Sequence, residues 1–460
     1  MVKSLEVMKR AITGPLCSER DYDLRTFSPK IREAIKEYDI KYDGETIIPS
    51  DDSLADDVFK AGLDFYCNVG TYCMDTERII KFDENEAKEG LRFAPNKATF
   101  GEGLDAGVLV PREIASKIPP WCFLGAGGAP VSSEEIFLSL VEAYALIPQI
   151  NAVTTPALTS VSGVEIRPNS PLEILGTMRN AVLAREAFRR AGRPGLPIMN
   201  ALATATSAPA LIATLHPNYD LRPSDGYLVA SYPELKVDFS SLNKACVLQS
   251  HGARIGGEYS PILGGYPGGP EGVLVAQVAY NIHGVLVLQA TWHLNLPFHY
   301  KFGCTTVPEI LWALSTYGQA ITRNTRLLSL SLAYSASGPC TEMCLYELAA
   351  AVITAVASGL SIEAAGVAKA IHKDHLTPLE PRFAAEVAHA TAATGMKRED
   401  ANEIVNSLTS KYVDAIPNPP LGKKYQECFD MKTGKPSREY LDIYNRVKKE
   451  LEDLGLQFEQ

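Results

Sequence analysis

The stretch SLSLAYSASGPCTEMCLYELAAAVITAVAS, residues 329–358, contains one complete strand, loop and helix. Its first seven residues are apolar or small, and Gly338 and Pro339 then interrupt regular structure. The segment that starts at Thr341 has the length and apolar content of a buried helix. A unit of this kind builds parallel sheets that are covered by helices.

Similar units recur upstream, where strand-length apolar runs alternate with helix-length amphipathic segments. The predicted strands are WCFLG from Trp121, INAVTTPAL from Ile150, LPIMNALA from Leu196, YLVAS from Tyr227, ACVLQS from Ala245 and GVLVLQATW from Gly284. An alternation over about 240 residues fits a (β/α)8 barrel, also called a TIM barrel. A doubly wound open sheet is the alternative, but no GxGxxG motif follows the first strand. The glycine-rich GEGLDAG at Gly101 lacks a preceding strand and is predicted to be a turn.

The chain is predicted to have one core with helical extensions at both ends. Residues 1–115 form an N-terminal helical extension, residues 116–375 the barrel, and residues 376–460 a C-terminal helical extension packed on the barrel. The SREYLDIYNRVKKELEDLGL segment near the C-terminus is amphipathic, and Gly455 is a typical helix stop.

The composition excludes several classes of function. The net charge is −10, from 44 basic and 54 acidic residues, so no general field attracts nucleic acid or anionic lipid. The opening MVKSLEVMKR is too short and too charged for a signal peptide, and no run of about 18 apolar residues is evident. We therefore expect a cytoplasmic protein. The nine scattered cysteines indicate reduced thiols, and neither CxxC nor HExxH occurs, which argues against a zinc site.

Barrel enzymes carry their chemistry in the loops that follow the strands, so the strand ends supply the candidate residues. These candidates are Thr159, Ser160, Met199, Asn200, Gln249, His251, Trp292, His293, Tyr334 and Ser335. We expect His293 and His299 to be structural, and His372 and His375 to lie at a solvated helix end. Thr341 and Glu342 either cap a helix or help to bind an anion at its N-terminus.

The most unusual segment is HGARIGGEYSPILGGYPGGPEG, residues 251–272, which has eight glycines and three prolines around Glu258. We expect neither helix nor strand here. The glycines would let a loop place Glu258 and Tyr266 in a site with little steric obstruction. A surface turn with a solvated glutamate is the alternative.

Several long motifs resemble the monomethylamine methyltransferases of methylotrophic methanogens. They are GTYCMDTERIIKF at Gly70, SPLEIL at Ser170, AGRPG at Ala191, PILGGYPGG at Pro261, ATWHLNLPFHYKFG at Ala290, GPCTEMCLYE at Gly338, KKYQECFDMKTGKP at Lys423 and KKELEDLGL at Lys448. The resemblance spans nearly the whole chain. It implies a homo-oligomeric (β/α)8 barrel that moves a methyl group from an amine to the cobalt of a small corrinoid protein. It also implies no tightly bound cofactor, because the partner supplies the corrinoid.

The family's hallmark is pyrrolysine, an electrophilic residue that lies a few residues after AGRPG, and Met199 falls on that position. The resemblance assigns catalytic roles to Glu258 and Tyr334. A family glutamate falls on Leu228 and a glutamine on Leu332, so these two polar groups are missing.

These departures lead to a hypothesis about the methyl donor. Pyrrolysine's imine captures an amine covalently, and methionine has no such chemistry. A quaternary ammonium keeps its charge and needs no imine. We expect a more substituted cationic amine, bound by Glu258 and by cation–π contact with Trp292, Tyr334 or Tyr266. Met199, Leu228 and Leu332 would make room for its methyl groups.

Two alternatives stay open at this point. A family member that lost its activity with pyrrolysine would bind or sense an amine without catalysis. Met199 would also be uninformative if it replaced an amber-encoded residue, which the native codon at position 199 decides.

Overall fold

Seven parallel strands form the central sheet of the protein. The computed structural model describes residues 4–200, 206–431 and 433–458. In chain order the strands are β1 (Cys122–Gly125), β2 (Ala152–Thr154), β3 (Gly226–Ala230), β4 (Arg254–Tyr259), β5 (Trp292–Asn295), β6 (Ser329–Tyr334) and β7 (Ser361–Ala365). Their spatial order is β3, β4, β5, β6, β7, β1 and β2, so neighbours in the sheet are mostly neighbours in sequence.

Residues 197–199 close the barrel between β2 and β3. The amide of Val153 donates to the Pro197 carbonyl at 3.1 Å, and the Met199 amide donates to the Val153 carbonyl at 3.1 Å. On the other side, the amide of Gly226 donates to the Ile198 carbonyl at 3.0 Å. This closing segment occupies the place of an eighth strand, as predicted for a (β/α)8 barrel.

Helices surround the barrel on its outer face. Those between and after the strands are Glu134–Ala145, Pro171–Arg190, Ala208–Thr214, Phe239–Ser250, Pro270–His283, Pro308–Asn324, Glu342–Ala357 and Leu379–Thr394. The last of these packs on β7 and β1 and belongs to the helix ring, although the predicted extension begins at residue 376. The C-terminal region adds Arg398–Thr409, Tyr425–Cys428 and Arg438–Asp453.

The N-terminal region is mainly helical, with helices Ser4–Thr13, Glu19–Asp21, Ser28–Glu37, Asp52–Val69 and Glu84–Arg92 and a π-helix over Tyr22–Phe27. It also contains short strands, which the sequence analysis did not expect. The strands Ala98–Phe100 and Gly107–Leu109 form a hairpin, and GEGLDAG makes its turn, as predicted. Phe100 and Leu109 pack with Trp121 and Trp292, so the hairpin covers the lower end of the barrel core.

Two strand predictions need correction, and one strand was missed. ACVLQS from Ala245 is the end of the helix Phe239–Ser250, and the strand lies further on, at β4. GVLVLQATW from Gly284 begins as a π-helical turn over Gly284–Leu288, and its strand starts only at Trp292. β7 was not predicted at all. Tertiary packing decides these short apolar runs, because a buried helix and a buried strand have the same composition.

One segment in the described part of the chain has the length and mean hydropathy of a membrane span, although polar residues interrupt its apolar run. It is the stretch Pro270–Leu288, with a mean hydropathy of 1.4. Within the molecule, 89% of this window is buried against other elements, notably the helix Asp52–Val69. Its apolar surface is therefore that of a core helix.

Arg112 joins the segment before β1 to the helix ring, and its loss is expected to be costly. Its guanidinium is buried and donates to the carbonyls of Ile118 and Val356, and also to those of Leu360 and Ser116. Arg112→Met would leave four carbonyls without these donors. We expect the free energy of unfolding to fall by about 2–4 kcal/mol.

Urea denaturation of the two proteins measures this change. Arg438→Met is the matched control, because the Arg438 side chain is 95% exposed. A loss for Arg112→Met no larger than that of the control would contradict the structural role.

Candidate active site

A cavity of about 510 Å³ opens at the carboxyl ends of the barrel strands, within the usual range for small-molecule sites of roughly 300–1,000 Å³. Its wall includes Gly127, Thr155, Glu173, Asn180, Asn200, Leu228, Glu258, Leu294, Leu332, Tyr334 and Glu363. Active sites of barrel enzymes lie at this face. The cavity is therefore the candidate active site.

Three leucines form an apolar floor to this cavity. Leu228 lies on β3, Leu294 on β5 and Leu332 on β6, and all three are buried in the barrel interior. They pack on the cluster that contains Trp121 and Trp292. A floor of this kind accepts methyl groups and offers no hydrogen bonds.

Among the described residues, four glutamates line the cavity, and two of them, Glu258 and Glu363, lie on barrel strands. Glu258 lies near the end of β4 and is half-buried, and Glu363 lies in the middle of β7 with 2% of its surface exposed. Burial raises the pKa of Glu363 well above its usual range, and the negative charge of Glu258 raises it further. A hydrogen bond from Thr154 acts in the opposite direction. The pair therefore favours a neutral Glu363 when no cation is nearby.

Tyr334 ends β6 at the edge of the cavity. Its hydroxyl donates a short hydrogen bond to the Gly127 carbonyl, and a Cβ at position 127 would lie 2.6 Å from the hydroxyl oxygen. Gly127 has a φ of +54°, so a glycine is favoured there on both counts. Burial and the charges of Glu363 and Glu258 raise the pKa of Tyr334 well above its ordinary value. The phenol is therefore neutral and acts as a fixed wall.

The cavity wall has acceptors that the described residues leave unused. Thr155 Oγ1, Asn180 Oδ1 and Glu363 Oε2 are buried and have no hydrogen-bond partner among the residues of the three described ranges. Glu173, in contrast, is fully engaged, because it accepts from the Asn169 amide and from Ser207. Hydrogen-bond acceptors that are unused in a cavity can bind a ligand that carries a positive charge or hydrogen-bond donors.

The structure brings together four of the predicted site residues: Glu258, Tyr334, Leu228 and Leu332. Asn200 and Thr159 from the strand-end candidates also line the cavity, and Asn200 donates to Thr154 Oγ1 at 3.1 Å. Glu258 lies on a regular strand, so the expectation of a loop over all of residues 251–272 was wrong.

Met199 and Trp292 lie below the cavity. The Met199 side chain is fully buried, and its Sδ atom accepts a hydrogen bond from Trp121 Nε1 at 3.2 Å. Trp292 begins β5, at the end of the strand away from the cavity, and its indole donates to the Arg254 carbonyl at 3.3 Å. Met199 thus supports the floor from beneath, and Trp292 gives no aromatic wall to the cavity.

Tyr266 lies outside the cavity, in the turn between Leu263 and Pro270, with 42% of its surface exposed. It is absent from the cavity wall, so its predicted contact with a cation has no support in this geometry. Gln249 and His251 end a helix, so they are not strand-end residues.

The remaining candidates have structural roles. His293 is fully buried, its Nδ1 atom lies 2.9 Å from the Tyr259 hydroxyl, and burial lowers its pKa to about 3. His299 accepts from the Lys301 amide at 3.1 Å. Thr341 caps the helix Glu342–Ala357, and Glu342 pairs with Arg446. These contacts within the protein account for the four side chains without a ligand.

Sequence reasoning missed Glu363, because it did not recognise SIEAA, residues 361–365, as a strand. The signal was present, since Gly359 ends the preceding helix and a short run of strand length follows. A glutamate between apolar residues in a buried strand points to a site. Among the described residues, no group of three or more histidine, cysteine or acidic side chains is arranged to hold a metal ion.

Comparison with known proteins assigns the chain to a family. The family model for the monomethylamine methyltransferase MtmB matches residues 2–456. Monomethylamine methyltransferase MtmB1 of Methanosarcina barkeri is 35% identical over 98% of this chain and 97% of its own length, and MtmB of Methanosarcina mazei matches equally well.

Solved structures give the same result. The crystal structure of the Methanosarcina barkeri monomethylamine methyltransferase superposes with a TM-score of 0.94 at 33% identity, over 99% of this chain and 98% of the other. A crystal structure of a hydroxylamine complex of MtmB superposes with the same score. The family match and the shared barrel agree over nearly the full length, and this chain is therefore a member of the monomethylamine methyltransferase family.

Proposed function

We propose that this protein transfers a methyl group from a methylated amine to the cobalt(I) of a small corrinoid protein. Family membership supports a methyltransferase that acts on methylamines. The corrinoid acceptor comes from the resemblance described above. The cavity supports a small cationic substrate, because it combines buried acceptors with an apolar floor.

The donor that fits best is a more substituted, permanently cationic amine. The observation that carries this proposal is the presence of Glu258 on the cavity wall beside a floor of Leu228, Leu294 and Leu332. A carboxylate attracts the positive nitrogen, and leucines accept its methyl groups. Tyr334 is the aromatic residue left for cation–π contact, since Trp292 and Tyr266 are absent from the cavity wall.

The reaction balances without pyrrolysine chemistry. The carbon–nitrogen bond of the donor breaks, and its electron pair stays on nitrogen. The electron pair of cobalt(I) forms the bond to the methyl carbon, and the cobalt becomes formally cobalt(III). A quaternary donor leaves as a neutral tertiary amine and needs no proton. The protein's task is to hold the nitrogen so that one methyl group faces the acceptor.

Incubation with reduced cobalt(I) cobalamin and a panel of amines tests this function. The panel contains monomethylamine, dimethylamine, trimethylamine, tetramethylammonium, choline and glycine betaine, and methyl-cobalt absorbance is the signal. We expect the quaternary donors to react faster than the primary amine. Turnover of monomethylamine alone would contradict the donor class, and no turnover with any donor would contradict the reaction.

The partner is expected to dock around the cavity opening. Val164 and Ile371 are 59% and 68% exposed, and each lies within two residues of a cavity-lining side chain, Glu165 and Lys373 respectively. Exposed apolar side chains that flank an active site are typical of a protein contact. We call these two residues the pocket rim.

A double variant tests the pocket rim. Val164→Glu with Ile371→Glu should raise the KM for the corrinoid protein about tenfold, since a docked apolar contact would bury two charges. The rate with free cobalamin should stay within twofold of the wild type, because free cobalamin has no protein part that would dock on the pocket rim. Leu24→Glu, at another exposed leucine, is the control. An unchanged KM for the partner would place docking elsewhere.

A further inference from the structure

Glu363 is a buried carboxylate that the proposed reaction does not yet use. It lies on β7 with one oxygen, Oε2, unbonded among the described residues, and it lines the cavity together with Glu258. The resemblance marks Leu228 as a position where the family has a glutamate, so an acid is missing there. β7 supplies an acid to the same cavity from a different strand.

A structural role for Glu363 is a poor explanation. Glu347 is one buried carboxylate with a structural role in this protein, since it accepts from Thr306 Oγ1 at 2.5 Å and from the amides of Ala336 and Ser337. Those contacts use both of its oxygens. Glu363 has Thr154 as its bonded neighbour, and its other oxygen, Oε2, is buried without a partner among the described residues on a side chain that lines the cavity. A buried acceptor of this kind in a cavity is expected to meet a ligand.

We propose that Glu363 is a specificity-determining residue that holds a proton in the empty cavity and loses it to solvent when a quaternary ammonium ion binds beside Glu258. The proposal deepens the proposed function and rests on it only in taking an amine-derived cation as the ligand. It makes the site selective for permanent cations, because a neutral molecule of the same shape cannot stabilise two carboxylates.

Electrostatics gives the reason for the proton exchange. Two carboxylates in a cavity of low dielectric repel each other, so one of them stays protonated without a cation. Burial and the charge of Glu258 raise the pKa of Glu363 in the empty cavity. A bound cation stabilises the charged form and lowers that pKa. Binding therefore releases a proton at pH values between the pKa of the occupied cavity and that of the empty cavity, and affinity rises with pH across that window.

The other charged groups around the cavity do not replace Glu363 in this exchange. Glu173 has its oxygens bonded to Asn169 and Ser207, while Tyr334 stays neutral because its pKa is raised. Glu165 and Lys373 are exposed at the opening of the cavity. Lys244 lines a neighbouring cavity and donates to the Thr206 carbonyl at 3.0 Å; burial lowers its pKa, and the charges of Asp238, Glu258 and Glu173 oppose that shift.

Isothermal titration calorimetry with choline tests the proposal. Titrations at several pH values, in buffers with different enthalpies of ionisation, give the number of protons released. We expect a release that approaches one proton per choline between the pKa values of the occupied and the empty cavity and falls away on either side, and an affinity that rises across that window by up to about tenfold per pH unit. The neutral isostere 3,3-dimethyl-1-butanol should bind more weakly and release no proton.

The variant Glu363→Gln keeps the side-chain shape and removes the titration. Its choline affinity should lose the pH dependence and fall about 10- to 100-fold at high pH, with no proton release. Glu135→Gln, an exposed acid on the helix Glu134–Ala145, is the matched control. A Glu363→Gln protein that keeps the full pH slope and proton release would overturn the proposal.

A measurement on the wild type covers the case in which this variant fails to fold. Infrared difference spectra with and without choline should show the loss of a protonated carboxyl band. Persistence of that band on choline binding would overturn the proposal. The two proposals fail separately: methyl transfer without proton release contradicts the role of Glu363, and proton release without methyl transfer contradicts the reaction.

Discussion

Glu258→Gln is expected to lower kcat/KM for methyl transfer from a quaternary donor by roughly 30- to 1,000-fold. A cation in a buried cavity loses its charged partner, and such truncations cost about 2–4 kcal/mol. The amide keeps the shape of the side chain, so packing on β4 is retained. The effect should appear in KM and kcat together, because the role proposed for Glu258 is both to bind the donor and to set its orientation.

The assay follows methyl-cobalt formation with the best donor of the panel. Glu135→Gln serves again as the control for a lost carboxylate elsewhere on the barrel. A second effect is expected in choline binding, because the charge of Glu258 raises the pKa of Glu363. In Glu258→Gln, proton release should therefore end at a lower pH than in the wild type. Turnover within twofold of the wild type would contradict a role for Glu258 in binding the donor.

Leu332→Gln is expected to lower turnover of quaternary donors by about 10- to 100-fold. The substitution restores the polar residue that the family resemblance places there, and it puts an amide beside the methyl groups of the donor. A buried amide without a partner costs about 1–3 kcal/mol. Smaller amines can donate a hydrogen bond to it, so the preference should shift toward less substituted donors.

Competition between choline and monomethylamine measures this shift directly. Leu146→Gln is the control, because Leu146 is 60% exposed at the end of the helix Glu134–Ala145. Thermal denaturation separates a loss of donor binding from a loss of folded protein. An unchanged preference between the two amines would mean that the floor does not select the donor.

The barrel was predictable because its evidence is distributed along the chain. Apolar strand runs alternate with amphipathic helices over β1 to β6, and one misplaced strand does not disturb such a pattern. Local errors arose where composition is ambiguous. ACVLQS at Ala245 is apolar enough for a strand, yet it continues the helix that Asp238 caps.

β4 shows why local sequence misleads in this barrel. RIGGEY has two adjacent glycines, which normally weaken a strand. In the structure a Cβ on Gly256 would overlap the Trp292 ring, and one on Gly257 would overlap the Tyr259 hydroxyl. Gly256 makes room for Trp292, which is distant in sequence, and Gly257 makes room for Tyr259 on the same strand, so only packing explains both glycines.

The candidate site likewise contains residues that were identified correctly, while other residues expected there lie elsewhere. The resemblance identified Glu258, Tyr334, Leu228 and Leu332, and the fold brings all four to one cavity. Trp292 and Met199 were expected there because they follow strand-like runs. Their side chains lie in the lower barrel core. The predicted strand bounds were wrong, and successive inward-facing residues of a barrel strand lie at different heights in the interior.

By itself, the sequence determined the fold class and the family, because long motifs and the alternation of elements survive local ambiguity. Only the tertiary structure decided which side chains share the cavity. Glu363 and Glu258 are more than one hundred residues apart, and barrel closure through residues 197–199 fixes which interior positions face each other. Their joint charge, and hence the expected preference for a cation, is a property of that closure.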